Sequence, residues 1–205
     1  MVKLDSVKIP KRSAEILDGL EILILSEGFA RLSASEIAAH LRCSKRTLYE
    51  LAPSKKLLVL LALDKFFSRI RQEADDLSNN NLDSARLVYE YLQVGEHASE
   101  RLSQMLVADI AEWKPARILW QQHIRLRIDG LFQIIDNGVK EGVFRQVSPA
   151  FMAEVIFAGV NRLREPDFND CTGLTIAEGF HELYLMLLHA LISDGKVSEL
   201  PVLKF

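Results

Sequence analysis

The stretch that decides the fold reads SASEIAAHLRCSKRTLYELAPSKKLL and spans residues 33–58. Ser33 followed by Glu36 predicts a capping box, in which each side chain bonds a backbone N–H of the first helical turn. Apolar residues then recur at helical spacing as far as Leu41-Arg42-Cys43, where the chain must turn sharply. Ser44 can N-cap the helix that follows. The stretch therefore predicts two short helices joined by a three-residue turn.

The second of these helices begins with the polar residues Lys45, Arg46 and Thr47, and two more lysines follow at Lys55 and Lys56. In a DNA-reading helix-turn-helix, this is where side chains meet base edges and phosphates. The same residues would also fit the solvated face of any small helical domain. By pattern alone, both interpretations stay open.

The order of the letters resembles the DNA-binding domain of the TetR family of transcriptional regulators. The family pattern appears here as Ser33, Ile37-Ala38, Leu41-Arg42-Cys43-Ser44, Thr47-Leu48-Tyr49 and Ser54-Lys55-Lys56-Leu57. Upstream, Ile16-Leu17 through Gly28-Phe29 is similar to the first helix of the family and its glycine stop. The resemblance is close over about the first 60 residues and looser beyond them.

The resemblance implies an all-α protein with two domains. Residues 1–53 would form a three-helix DNA-binding domain with a helix-turn-helix, and residues 54–205 a helical bundle for ligand binding and dimerisation. Phosphate contacts are expected from Ser33, Ser44, Thr47, Tyr49 and Lys55. Base contacts or additional phosphate contacts are expected from Arg42, Lys45 and Arg46.

Four positions depart from the family pattern. Arg42 stands where the family usually has glycine, and a positive φ at that position would cost about 1 kcal/mol. Arg46 replaces a small residue and adds a guanidinium that can bond guanine on two atoms. Leu51-Ala52 replaces an aromatic pair, and we expect large apolar residues around Leu57 and Leu58 to restore the lost packing.

Charge is unevenly distributed along the chain. Residues 1–60 hold ten Lys and Arg against seven Asp and Glu, a net of +3, whereas residues 61–205 carry a net of −6 and the whole chain −3. A local basic face on an acidic protein suits a binder that touches nucleic acid through a small patch.

Composition excludes several classes of protein. The longest apolar run, Leu57–Leu63, is far shorter than the ~18 residues of a membrane span, and the first residues do not form a secretory leader. Cys43 and Cys171 have no metal-ligand spacing, which favours a reducing cytoplasm. Cys43 could be a redox switch, although a small buried apolar role is the simpler interpretation. No cofactor is expected.

Beyond residue 58 the pattern is helical throughout. Helices are expected over 84–97, 99–112 and 115–140, with a loop at Asn79-Asn80-Asn81 and a helix start at Asp83-Ser84. Gly142 predicts the end of the long helix, and Ser148-Pro149 predicts the start of the next.

The helix predicted over 180–192 is apolar at ten of thirteen positions, wider than one packing face requires. By family resemblance it forms a two-fold dimer interface with the helix before it. The expected interface residues are Phe151, Met152, Val155, Ile156, Gly159, Phe180, Tyr184, Leu187, Leu188 and Leu191. A fully buried core helix in a monomer is the alternative.

The resemblance also implies a ligand pocket inside the bundle of the middle helices. The expected lining residues are Phe66, Phe67, Trp113, Trp120, His123 and Arg127. Of these, His123 and Arg127 could hold an anion or polar headgroup between apolar walls. Aromatic residues at helical spacing are equally typical of an ordinary core.

An enzymatic function finds no support in the sequence. Glu178-x-x-His181 has the spacing of helical di-iron ligands, but no second such motif is present. The expected protein is a dimeric transcriptional regulator, and a repressor rather than an activator. It is expected to bind a palindromic double-stranded DNA operator, with an affinity that responds to a small-molecule effector of unknown identity. A dimeric helical protein-interaction module without DNA binding is the alternative.

Overall fold

The protein is all-α, as the sequence predicts. The computed structural model describes residues 10–77, 82–163, 165 and 167–192, and within them the chain forms helices and no strand. In chain order the helices are α1 (Lys11–Glu27), α2 (Ala34–His40), α3 (Lys45–Leu51), α4 (Lys55–Leu77), α5 (Ser84–Ser99), α6 (Gln104–Glu112), α7 (Lys114–Lys140), α8 (Pro149–Arg162), α9 (Phe168–Thr172) and α10 (Ile176–Leu191).

Side-chain caps set the starts of the later helices. Asp83 accepts a hydrogen bond from the Arg86 N–H at 2.8 Å and begins α5 where the sequence predicts it. The predicted start of the helix over 99–112 is wrong. Helix α5 continues to Ser99, and α6 begins only at Gln104, after the Ser103 cap. The short helix α9 was not predicted. The predicted loop at Asn79-Asn80-Asn81 lies outside the described residues.

Glycines end two helices as expected. Gly28 follows α1 with φ 72°, and Gly142 follows α7 with φ 72°, a region that side chains with a β-carbon rarely adopt. Ser148 caps α8 through the Phe151 N–H, and Pro149 occupies the first helical turn.

Packing divides the chain into two compact units. The first comprises Met1–Phe66 and Ser103–Leu119, and the second comprises Phe67–Leu102 and Trp120–Phe205. The division falls inside α4 and α7. The functional domains expected at 1–53 and 54–205 are defined by activity rather than packing, so that division stays a prediction.

In the first unit, α1 packs against α6 and α2 against α3. Its fully buried side chains include Leu20, Ile24, Ile37, Leu48, Leu58 and Leu63. Leu58 is fully buried, as expected of a residue that restores packing near the missing aromatic pair. Leu57 does not restore this packing, because it lies on the outer face of α4 and is 46% exposed.

Asp109 on α6 stabilises the chain where it leaves α1. Its Oδ2 accepts hydrogen bonds from the backbone N–H groups of Phe29 at 2.5 Å and Ala30 at 2.8 Å. These two donors follow the end of a helix, and without Asp109 they would need another acceptor. Close by, the Phe29 and Trp113 rings meet edge to face at 5.5 Å. One carboxylate oxygen therefore joins two segments about 80 residues apart.

We expect Asp109→Ala to lower the free energy of unfolding by about 2–3 kcal/mol, because two backbone donors lose a charged acceptor. Urea denaturation followed by circular dichroism measures this loss. Asp76→Ala is the matched control: Asp76 is exposed and accepts a hydrogen bond from Gln72 on its own helix, so its removal should cost less than about 0.5 kcal/mol. Equal losses in the two variants would contradict the role of Asp109.

In the second unit, α10 packs against both α5 and α8. Its buried core includes Val88, Leu92, Leu131, Ile135, Leu187 and Leu191. The Ser84 hydroxyl donates to Glu141 at 2.6 Å, and the Arg145 N–H donates to the Leu191 carbonyl at 3.0 Å. None of the described helices combines the length and the apolar content that a bilayer crossing requires.

Candidate functional site

The helix α2 begins in the capping box that the sequence predicts. The Glu36 N–H donates to the Ser33 hydroxyl at 3.2 Å, and the Ser33 N–H donates to the Glu36 carboxylate at 2.6 Å. These bonds from Ser33 hold the pKa of Glu36 below its usual value. The cap fixes the direction in which α2 leaves the preceding loop.

The turn between α2 and α3 places a non-glycine residue in the left-handed region. Arg42 has φ 48°, and the Cys43 N–H bonds the Ala38 carbonyl at 3.0 Å. Such a conformation costs an ordinary residue about 1 kcal/mol. Arg12 on α1 donates to the Arg42 carbonyl at 3.2 Å and stabilises the turn. The exposed Arg42 side chain therefore stands at the rim of α3.

Ser44 caps α3 and orders its first turn. The Ser44 hydroxyl accepts from the Thr47 N–H at 3.0 Å and lies 2.9 Å from the Thr47 hydroxyl. Leu48, fully buried, anchors the opposite face of α3. Lys45 and Arg46 are exposed, and Tyr49 is 42% exposed. One face of α3 thus presents two cations and a phenol to solvent.

Two basic side chains of this region make only weak internal contacts. The Arg46 side chain is 90% exposed, and its pairing with Glu50 at 3.3 Å is of the exposed i, i+4 kind, worth about 0.3–0.5 kcal/mol. Lys55, at the start of α4, donates to the Ala30 carbonyl at 3.3 Å and interacts electrostatically with Glu36. An ammonium has three N–H donors, so this bond leaves Lys55 able to bind a phosphate. The eight expected DNA-contact residues thus lie at the N-cap of α2, in the turn that follows α2, on α3 and at the start of α4.

Cys43 lies in this turn and is half-buried. Burial raises the pKa of its thiol, which disfavours the reactive thiolate. This environment suits the packing role better than the redox role.

In the second unit, three of the expected pocket residues form an aromatic cluster. Phe67 meets Trp120 edge to face at 5.4 Å and stacks on His123 at 4.7 Å. Arg71 donates to His123 Nδ1 at 3.3 Å. Burial, together with Arg127 and Arg71, lowers the pKa of His123 to about 3, so the ring is neutral at physiological pH.

Arg127, a fourth expected pocket residue, is buried one turn along α7 from His123. It lies over the Tyr91 ring at 3.9 Å and donates to the Tyr91 carbonyl at 2.6 Å. The Tyr91 hydroxyl donates to the Arg127 carbonyl at 2.6 Å. Phe66 and Trp113, the two remaining expected residues, belong to the first unit. The structure therefore brings together four of the six.

The sequence missed Tyr91, Arg71 and Tyr184 as neighbours of this cluster. Tyr91 comes from α5 and Tyr184 from α10, about 90 residues apart along the chain. The residues next to Tyr91 and Tyr184 in the sequence are those of ordinary buried helices. The sequence therefore contains no local signal that the two tyrosines lie near Arg127.

The spacing Glu178-x-x-His181 has a structural explanation. Glu178 forms a capping box with Thr175, which lowers the pKa of its carboxyl group. His181 instead pairs with Glu96 at 2.9 Å. Within the described ranges, no group of three His, Cys, Asp or Glu side chains is arranged to hold a metal ion.

The helices α8 and α10 expose an apolar surface in the second unit. Phe151 and Val155 on α8 are 66% and 42% exposed, and Met186 on α10 is 66% exposed. The two helices approach closely at Gly159, where a β-carbon would meet Leu183 at 2.8 Å. We define the α8–α10 face as Phe151, Val155, Leu183 and Met186.

The expected interface residues divide into two groups. Phe151, Met152, Val155 and Gly159 reach the surface, whereas Ile156, Phe180, Tyr184, Leu187, Leu188 and Leu191 are buried within the chain itself. The buried group supports the two helices from inside. Met186 and Leu183 belong to the surface and were missed, because a helix apolar on nearly all sides does not reveal its outer face.

Comparison with known proteins finds a distant curated relative. The chain is 22% identical over 174 residues to YvaF of Bacillus subtilis, an HTH-type transcriptional regulator, covering 84% of this chain and 91% of the relative. No family model matches the chain.

Several solved structures share the fold. A transcriptional regulator from Saccharomonospora viridis in complex with choline has a TM-score of 0.71 and 18% identity, over 89% of this chain and 98% of that one. A TetR-family regulator from Agrobacterium tumefaciens has a TM-score of 0.69 and 17% identity over the same shares. SmeT, the repressor of a multidrug efflux pump in Stenotrophomonas maltophilia, has 0.68 and 18%, over 89% and 91%.

Proposed function

We propose, from a fold shared with TetR-family transcriptional regulators, that this protein is a dimeric, sequence-specific DNA-binding regulator. The observation that carries the proposal is the face of α3, on which the exposed Lys45, Arg46 and Tyr49 follow a Ser44 cap. A short helix with an anchored apolar side and a basic outer side can enter the major groove. Repression is the proposed mode of action, as in the similarly folded SmeT.

Each residue of the site has a proposed part in DNA binding. Ser33, Ser44, Thr47, Tyr49 and Lys55 would bind phosphates and set the orientation of the domain. Arg42, Lys45 and Arg46 would contact base edges or further phosphates. Arg46 is the strongest candidate for base reading, because its weak pairing with Glu50 is easily exchanged for guanine O6 and N7.

Dimerisation is proposed through the α8–α10 face. Large apolar side chains exposed together on two packed helices are typical of a protein–protein interface. A two-fold axis across the face would bring Phe151 and Met186 against their counterparts and present two copies of α3. Such a pair would recognise a palindromic operator with half-sites separated by whole helical turns.

A small molecule bound in the second unit is proposed to regulate operator affinity. The buried cluster of Phe67, Trp120 and His123 supports this proposal, because polar groups are held there among aromatic walls. The choline complex of a similarly folded regulator is a precedent for ligand binding by this fold. Differential affinity for two states of the protein would couple the ligand to DNA.

The first test selects bound sequences from a random DNA library and then measures operator affinity over a range of salt. We expect Lys55→Ala to weaken binding to all sequences alike and to reduce the salt slope by about one ion. Arg46→Ala should lose about 1–3 kcal/mol of binding free energy and relax specificity at one position.

Lys140→Ala is the matched control for these variants. Lys140 lies at the end of α7 and pairs on its own helix with Asp136 at 2.5 Å, so its loss changes net charge without touching the proposed site. Operator binding by Lys55→Ala and Arg46→Ala that equals the control would refute the assigned contacts. Selection of no sequence by the parent protein would favour the protein-interaction alternative.

A further inference from the structure

Arg127 is a buried cation that the fold leaves incompletely satisfied. Arg127 is only 8% exposed. Its Nη1 is buried without a hydrogen-bond acceptor among the described residues. Nη2 donates to the Tyr91 carbonyl at 2.6 Å, and the guanidinium lies over the Tyr91 ring. These contacts hold the side chain in place but bring no negative charge to it.

The neighbouring groups do not supply that charge. Burial raises the pKa of both Tyr91 and Tyr184, so the two phenols stay protonated and neutral at physiological pH. Glu96 already bonds His181 at 2.9 Å and Gln93 at 2.9 Å. Within the described ranges, no carboxylate lies within ion-pair distance of Arg127. A buried charge left in this state is costly.

A second polar donor stands on the same face of α7. The neutral His123 accepts from Arg71 through Nδ1, so the proton of the ring is on Nε2. Position 123 is four residues before Arg127, which places both on one side of the helix. The Phe67 and Trp120 rings pack beside His123 and supply apolar walls.

The backbone of α5 also approaches this group closely. A β-carbon at Gly95 would lie 2.7 Å from the Tyr184 hydroxyl and 3.2 Å from Arg127 Nη2. Only glycine fits at this position, because the Tyr184 hydroxyl and Arg127 Nη2 already lie against the α5 backbone. The buried cation, the second donor His123 and the aromatic rings occur together in the second unit.

We propose that the effector is a small organic acid whose carboxylate binds Arg127 and whose apolar body lies against Phe67 and Trp120. The inference rests on the proposed function, since it names the chemical class of the regulating ligand. A carboxylate would complete the hydrogen bonding of Nη1 and neutralise the buried charge. Binding of the acid therefore stabilises the folded second unit against unfolding.

The test measures binding by calorimetry to the full-length protein, in a buffer free of carboxylate and phosphate. The probes are benzoate and octanoate, their neutral amides, and inorganic phosphate. We expect the carboxylates to bind at least about tenfold more tightly than the amides, because hydrogen bonds to charged groups are the stronger kind. Phosphate, which lacks an apolar body, should bind more weakly than either carboxylate.

Variants at one position locate the site. Arg127→Met should abolish the preference for carboxylates, and Arg127→Lys should keep part of it, since the charge remains and the fork is lost. Arg86→Met is the control: Arg86 is exposed and pairs with Glu90 on α5, and its loss should leave the preference intact. If Arg127→Met does not fold, the comparison of Arg127→Lys with the parent carries the test.

The outcomes separate this inference from the proposed function. No carboxylate binding, equal binding of acids and amides, or an unchanged preference in Arg127→Met overturns the inference. Phosphate binding as tight as that of the carboxylates overturns the apolar part of it. Operator binding is measured on the same preparations, so a protein that binds DNA but no carboxylate refutes only the ligand class. A protein that binds carboxylate but selects no DNA refutes the proposed function instead.

Discussion

Replacing both Phe151 and Met186 with glutamate should convert the proposed dimer into monomers and raise its dissociation constant at least about 1,000-fold. Each substitution occurs twice across a two-fold axis, and each unpaired charge buried there costs a few kcal/mol. The two side chains are 66% exposed in the single chain, so the fold itself should tolerate the change. Sedimentation at micromolar concentration measures the association, and operator affinity should fall with it.

The control for this prediction is Leu126→Glu. Leu126 is 55% exposed on α7 and lies outside the α8–α10 face, so the variant should remain dimeric. A parent protein that is monomeric at micromolar concentration would contradict the dimer itself. A double variant that still dimerises would place the interface elsewhere.

Substituting alanine for Gly138 should destabilise the protein by about 2–3 kcal/mol. A β-carbon at this position would overlap the Phe144 ring, which is 2% exposed and enclosed by the core. The backbone also pins the ring, because the Val143 and Phe144 N–H groups both bond the Gly138 carbonyl, at 2.9 and 3.0 Å. The overpacking cost exceeds the ~1 kcal/mol that alanine gains in helix propensity. Chemical denaturation of the parent and the variant measures the difference.

Gly142→Ala separates crowding from backbone strain. Gly142 has φ 72° but open space around the position of a β-carbon. We therefore expect a loss of only about 1 kcal/mol, from the left-handed backbone alone. If Gly142→Ala proves as damaging as Gly138→Ala, the contact with Phe144 is not the cause.

Features that depend on neighbouring residues could be predicted from the sequence. The Ser33–Glu36 box, the Ser44 cap and the Asp83 cap each need only residues three positions apart. The glycine stops at Gly28 and Gly142 are equally local. These signals, together with helical periodicity, were sufficient for the all-α fold and for the helix-turn-helix.

Features that depend on distant segments could not be predicted in the same way. Asp109 caps the chain after α1, and His181 pairs with Glu96, over 80 residues away. Glu178 and His181 have the spacing of helical di-iron ligands, but each has a separate partner, Thr175 for Glu178 and Glu96 for His181. The outer face of α10 was also hidden, since only the packing against α5 and α8 shows that Met186 points outward.

The two tryptophans give each compact unit its own optical probe. Trp113 is half-buried beside Phe29 in the first unit, and Trp120 is buried beside Phe67 in the second. Loss of packing around each ring changes its emission, so single-tryptophan proteins follow the unfolding of each unit separately. Coincident transitions from the two probes would mean that one free energy of unfolding describes the whole chain. Separate transitions would mean that the two units unfold independently. The stability lost in Asp109→Ala would then be measured on the first unit, and that lost in Gly138→Ala on the second.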